Sequence, residues 1–211
     1  MFEVRLKPGR DKSLRQRHPW IFSGGLQTPP KDLPPGELCR VCDAKGRPLA
    51  IGYGNPRSQI AVRIVSFDHT EKIDRFFWTD KITKAQARRD HLLTAQQTDA
   101  YRLIYSEADG LPGLIVDRYG DVLSLQCLTL GMETQLPQIG PLLQELTGCQ
   151  AIYRPVDKQA IKWEGLTTTT SGWLLGSAPL AREVWQEGRK FHLDLSGQKT
   201  GFYLDQRENH T

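Results

Sequence analysis

"ELCRVCDAKGRPLAIGYGNPRSQIAVRIVSF", residues 37–67, decides how the fold begins. Three runs, 37–43, 49–55 and 60–67, are short, rich in β-branched and aromatic residues, and separated by turn formers such as "AKGRP". Short strands joined by tight turns predict a small twisted sheet or barrel, with "EVRL" at 3–6 as an earlier strand. Gly52-x-Gly54 invites comparison with a phosphate-binding turn, but that turn must open a helix, and here Pro56 and flanking strands follow. Cys39-x-x-Cys42 has metal or redox spacing, yet no second pair and no suitably spaced histidines accompany it. The four cysteines of the chain therefore read as structural.

Working outward, the pattern turns helical over 71–97, where Ile73, Phe76, Phe77, Ile82, Ala85, Leu92 and Leu93 recur at three-to-four spacing after Thr70 as N-cap. "YRLIYSEADGLPGLIVDRYGDVLSLQCL" at 101–128 predicts two strands with turns at Asp109-Gly110 and Gly120-Asp121. A second amphipathic helix is expected over 133–147, and extended structure resumes at "QAIYRPVD". "KFHLDL" at 190–195 alternates so that Phe191, Leu193 and Leu195 share a face, and a turn at Ser196-Gly197 with a return strand "GFYL" completes a predicted hairpin. The fold class is α+β. Its expected divisions are 1–70, a connecting helix at 71–100, a strand-strand-helix-strand-strand domain at 101–191, and a hairpin segment at 192–211.

The chain has 211 residues and a formal net charge of +4, with 38% hydrophobic and 25% charged residues, an ordinary globular composition. Residues 1–20 carry six cations against two acids, which leaves 22 of each sign in the other 191 residues. The excess thus sits at one end, and a concentrated basic field attracts phosphates. Lys7, Arg10, Lys12, Arg15 and Arg17 lie in a loop punctuated by Gly9, beside His18-Pro19-Trp20. RNA contact is favoured over a merely solvated face. Trp20 either stacks on a base or turns inward with Phe22, and "PWIF" favours the interior. Asn55, Arg57 and Ser58 either extend this surface or form a turn. No apolar run is long enough to span a membrane, no secretory signal opens the chain, and a cytoplasmic location is expected.

Asp205, three residues before Glu208, has capping-box spacing, so a helix is expected to begin where the sequence stops. The chain is accordingly expected to be the front part of a longer protein. Four stretches, "LKPGRDKSLRQRHPWIFSGG", "GYGNPRSQIAVRI", "EADGLPGLIVDRYGD" and "SGQKTGFYLDQREN", resemble the successive signatures of bacterial large-subunit (23S) ribosomal RNA methyltransferases of the cytosine-C5 type. The resemblance implies an N-terminal PUA domain that binds RNA, a middle strand-strand-helix-strand-strand domain, and a Rossmann-like domain that holds S-adenosylmethionine and supplies the attacking thiol. The third domain is expected to lie outside this sequence, so the 211 residues should neither bind the methyl donor nor catalyse transfer.

Under this resemblance Lys7, Arg10, Lys12, Arg15, Arg17, Trp20, Asn55 and Arg57 are the expected RNA contacts. Gln198, Lys199, Thr200 and Gln206 are either the edge of the donor pocket or a plain surface turn. No catalytic or metal residue is expected. Ribosomal RNA is the expected partner, with no membrane, and a homodimer is open to the full-length protein. The chain departs from the family pattern at "IYRPVDKQAIKWEGL", where Pro155 replaces the usual arginine. A non-catalytic PUA-type RNA-binding module is the alternative. Paired carboxylates such as Asp109 and Asp117 raise a hydrolase, but both stand among turn residues that need no chemistry to explain them.

Overall fold

The computed structural model describes residues 1–96, 98–186, 188–197 and Leu204. The first sheet contains β1 (Phe2–Arg5), β2 (Trp20–Phe22), β3 (Leu38–Cys42), β4 (Pro48–Gly54) and β5 (Ile60–Ser66), in the order β1-β3-β4-β5-β2. β1 runs parallel to β3, and the other pairings are antiparallel. The chain leaving β2 returns to the free edge of β1. There Lys7 N donates to Gly25 O at 2.9 Å, Gln27 N to Arg5 O at 2.8 Å, and Leu6 bridges Leu26. The sheet thereby closes into a small barrel with no long open edge. Val4, Leu6, Leu14, Ile21, Val41 and Val62 are among the side chains that fill it. Gly52 serves packing: a Cβ there would stand 2.5 Å from Arg63 O, where β4 and β5 shift register.

Helix α2 (Arg75–Gln96) connects the barrel to a second sheet. Its cap is Asp74, whose carboxylate accepts from Phe76 N at 2.9 Å and Phe77 N at 3.2 Å. Thr70 instead closes a turn on Asp68. Phe77, Trp78, Ile82 and Ala85 form the buried stripe, whereas Phe76 faces solvent.

The second sheet has the order β10-β9-β8-β7-β6, made of β6 (Ala100–Tyr105), β7 (Leu114–Tyr119), β8 (Val122–Cys127), β9 (Ala151–Arg154) and β10 (Gly172–Leu175). Three strands precede helix α3 (Leu130–Thr147) where the sequence predicts two, because the Asp109-Gly110 and Gly120-Asp121 turns each reverse the chain. α3 crosses between the parallel pair β8 and β9 and packs with α2 over one face of the sheet. A short helix, α4 (Lys158–Glu164), separates β9 from β10; it starts at the Asp157 cap and ends at left-handed Gly165.

Strand β12 (Arg189–Asp194) pairs with the upstream β11 (Ala181–Gln186) to make the C-terminal hairpin. The predicted turn at Ser196-Gly197 therefore follows the hairpin instead of forming its tip. Residues 201–203 of the expected return strand lie outside the described residues. Val184, Leu193 and Leu195 of the hairpin region pack with Tyr119, Val122 and Tyr153 in a further apolar cluster.

The barrel and the second sheet share a packed seam. Tyr53 of β4 reaches across, donating its hydroxyl to Pro112 O and sitting 3.0 Å from Thr129 Oγ1. Its ring lies against Gly131 in the first turn of α3, where a Cβ would come within 1.9 Å of the ring. Only a residue without a Cβ lets the helix approach this closely.

Candidate nucleic-acid interface

The basic stretch is held by a short helix, α1 (Lys12–Arg15), whose Leu14 is buried in the barrel. Anchoring through Leu14 turns the neighbouring cations outward. Lys7, Arg10, Lys12, Arg15 and Arg17 are all exposed. Lys7 Nζ donates to Gly24 O at 3.0 Å, and Arg15 Nε pairs with Asp11 at 2.7 Å, with Asp43 4.0 Å from its guanidinium. Arg17 has a left-handed backbone, φ 61°, an arrangement that disfavours residues carrying a Cβ. Its guanidinium lies 5.7 Å from the Phe67 ring centroid.

Arg17 and Phe67 line two adjoining depressions. One is a shallow groove with Leu14, Arg15 and Leu49. The other is a cleft of about 320 Å³ between barrel and second sheet, whose lining includes Pro19, Lys81, Glu107 and Gly110. The exposed cations therefore lead into the mouth of the seam.

Trp20 and Asn55 lie within the seam itself. Trp20 Nε1 donates to Glu107 at 2.7 Å, and its ring faces the Arg63 guanidinium at 5.5 Å. Arg63 bridges the two units, reaching Glu107 at 3.1 Å with one terminal nitrogen and Glu164 at 3.1 Å with the other. Glu164 also accepts from Asn55 Nδ2 and Ser58 Oγ, each at 2.8 Å. Burial favours the neutral form of Glu107, but hydrogen bonds from Ser106 and Trp20 and the nearby Arg63 outweigh it and hold the carboxyl below its ordinary range. Phe22 is half exposed, so the interior placement fits Trp20 better than Phe22.

Arg57 is exposed beside Gly165, while its backbone N–H donates to Asn55 Oδ1 at 3.0 Å. Thus the structure brings Arg15 and Arg17 to one groove, places Trp20 and Asn55 between the units, and sets Arg57 near α4. Gln198, Lys199, Thr200 and Gln206 lie outside the described residues.

Nothing in the sequence marks Arg63, Glu107 or Glu164 as members of this interface. Arg63 lies 44 residues from Glu107 and 101 from Glu164, and no local spacing announces such pairs. A second buried pair joins Arg154 to Glu133 at 2.6 Å, and Glu133 also accepts from the Thr167 and Thr168 N–H groups. Burial raises the Glu133 carboxyl, yet these donors together lower it to about 2.

The cysteines and carboxylates that could suggest catalysis are occupied structurally. All four thiols are free and buried, and burial pushes Cys39 and Cys127 up to about 12. Both stay protonated at neutral pH and are poor nucleophiles. Asp109 accepts from Arg88, Arg89 and Tyr105 N, each at 2.7 Å, and fully buried Asp117 accepts from Arg102 at 2.8 Å. Among the described residues no group of three or more His, Cys, Asp or Glu could hold a metal ion. No described helix is long and apolar enough to cross a membrane.

A methyl-donor pocket would need a strand leading through a glycine-rich turn into a helix. The parallel pair β8 and β9 is joined by α3, but Thr129 caps that helix and the Tyr53 ring fills the space at Gly131. This junction does not fit S-adenosylmethionine.

Residues 4–67 match the family model of the PUA-like domain. Ribosomal RNA large subunit methyltransferase I of Shewanella denitrificans is 43% identical over 210 residues, covering 98% of this chain and 52% of that protein. The protein of the same name from Erwinia tasmaniensis is 42% identical over 206 residues, covering 97% of this chain and 52% of its own. The chain spans about half the length of the curated relatives it matches. Among solved structures, SMU.776, described as a candidate methyltransferase complexed with SAH, superposes with a TM-score of 0.82 at 15% identity, over 99% of this chain and 52% of that one. A Streptococcus mutans structure described as a candidate SAM-dependent methyltransferase gives 0.80 at 15% identity, over 99% and 53%. At that identity the superpositions show the fold alone.

Proposed function

We propose that these residues form the RNA-binding and substrate-positioning part of an S-adenosylmethionine-dependent ribosomal RNA methyltransferase that acts at cytosine C5. The observation that carries the reading is similarity over 98% of the chain to a protein named for ribosomal RNA methylation. The PUA-like match over 4–67 and the outward-facing cations support the RNA side of it. In this reading Lys7, Arg10, Lys12, Arg15 and Arg17 contact phosphates, and the cleft beside Arg17 receives the strand. Trp20 and Asn55 contribute by fixing the barrel against the second sheet.

S-adenosylmethionine would supply the methyl group to a carbon made nucleophilic by a thiolate. The buried, protonated cysteines described above do not suit that role, so donor and thiol are assigned to the part of the relatives that this chain does not span. The proposed divisions are 1–70, 71–100 and 101–180, with the hairpin of β11 and β12 opening the last segment at 181 instead of 192, and Gln198, Lys199, Thr200 and Gln206 are proposed to border the donor pocket. A cytoplasmic site of action accompanies ribosomal RNA as substrate.

Filter binding of the chain to a structured ribosomal RNA fragment tests the surface. Arg10→Ala combined with Lys12→Ala should weaken binding about tenfold, a size expected for the loss of two phosphate contacts. Unchanged affinity would overturn the assignment. Calorimetric titration of the same chain with S-adenosylmethionine should give no binding heat, and a micromolar signal would overturn the division of labour.

A further inference from the structure

The seam has a second end, formed by α4 and the β4–β5 connection. Along the seam, Glu107 contacts Arg63, Arg63 contacts Glu164, and Glu164 binds Asn55 and Ser58. Arg17 and Lys81 belong to the cleft at the Glu107 end. Lys162, Trp163 and Arg57 belong to the Glu164 end. Arg57 stands against the end of α4: a Cβ on Gly165 would lie 3.1 Å from Arg57 Cδ.

Trp163 is 65% exposed, an unusual position for so large an apolar side chain. The geometry of α4 explains the exposure. Ala160 and Glu164, one turn apart, take the buried side, which leaves Trp163 off that face. Lys158 and Lys162, also one turn apart, are exposed, and Lys162 Nζ sits 5.2 Å from the Trp163 ring centroid. Neighbouring acids point elsewhere: Asp157 caps α4 through Gln159 N and Ala160 N, and Glu164 is taken up by the seam. Among the described residues Arg57, Lys158 and Lys162 make no ion pair. Phe22, 51% exposed and on the side of β2 opposite buried Ile21, flanks the same end through its pairing with Ile60.

An accessible indole among unpaired cations matches the surface of a single nucleic-acid strand, with a flat base to stack and a phosphate to neutralise. We propose that Trp163 is a stacking platform for one nucleotide of single-stranded RNA, with Arg57 and Lys162 holding the adjacent phosphates. The site rests on the RNA-binding reading above and adds to it a contact at the far end of the seam. A strand held there and at Arg17 would be gripped at both ends of the junction, whereas the basic stretch alone would hold it at one.

Fluorescence anisotropy of a labelled oligouridylate, titrated with the full 211-residue chain, tests the proposal. Trp163→Ala should weaken binding at least about fivefold, as expected for a lost base-aromatic stack, and Trp163→Phe should recover most of the loss. The exposed position leaves the fold intact, which unchanged thermal unfolding of both variants would verify. Affinity unaltered in Trp163→Ala but reduced in Arg10→Ala with Lys12→Ala would overturn the platform and leave the RNA-binding reading standing. Affinity unaltered in both would overturn both. Concentration-dependent dimerisation abolished by Trp163→Ala, with RNA affinity unchanged, would assign the face to a second copy and overturn the platform.

Discussion

The basic stretch at 7–17 and the seam around Arg63 hold comparable chemistry in opposite arrangements. In the stretch, cations project into solvent, and only Arg15 has a carboxylate partner among the pairs described. In the seam, Arg63 has 14% of its side chain exposed and is claimed by two carboxylates, one of them, Glu164, only 9% exposed. The same side-chain type thus stands open to solvent in one region and fixes two structural units in the other. Charge balance in a sequence cannot separate these uses, because the separating variable is what lies opposite each guanidinium after folding.

The largest effect should come from Arg63→Ala. It leaves buried Glu164 and half-buried Glu107 without their cation, which costs about 3 kcal/mol or more. Urea unfolding should show the loss, whereas Arg10→Ala with Lys12→Ala should stay within about 0.5 kcal/mol of the parent. Equal losses in the two variants would erase the contrast.

Glu133 sharpens it further. Its folded carboxyl is lowered to about 2 from an ordinary 4.5. A lowered folded value contributes stability above pH 4.5, and that contribution disappears as pH falls toward 2. Glu133→Gln should therefore be about 3 kcal/mol less stable at pH 7, with the gap to the parent narrowing steadily below pH 4.5. A gap independent of pH would show that ionisation is not the source.

At the Tyr53 contact, Gly131→Ala should cost about 2 kcal/mol through overpacking, visible as a lower unfolding midpoint. Arg17→Gly should have the smallest effect on stability, a gain of about 0.5 kcal/mol from relief of its left-handed backbone. RNA affinity should nevertheless fall, since the cation at the cleft is gone. A variant that gains stability while losing binding would distinguish Arg17 sharply from Arg63.

These expectations mark how far the sequence could be read. Val41, Ile51 and Val62 announce strands because β-branched runs between turn formers are local signals, and α3 announces itself through Leu136, Ile139, Leu142 and Leu143. α2 starts later than the sequence predicts because Thr70 and Asp74 are both competent caps, and the choice depends on Phe77 and Trp78 reaching the core. The sequence places the partner of 190–195 downstream, at "GFYL", whereas β11 holds it through pairs such as Val184 with Phe191. The outward cations were legible as a cluster. Glu107, Arg63 and Glu164 were not, because their meeting is created by the packing of two separately patterned units. The exposure of Trp163 is illegible for the same reason, since it exists only after α4 docks through Ala160 and Glu164.

The claim that the stretch at 7–17 grips RNA while the seam merely holds the units together is tested most directly by the salt dependence of RNA binding. For Arg10→Ala with Lys12→Ala, the slope of log affinity against log salt should be shallower than the parent's by about 1.4 to 1.8, the release of two phosphate-bound counterions. An unchanged slope would show that these cations do not touch the nucleic acid, and would contradict the account.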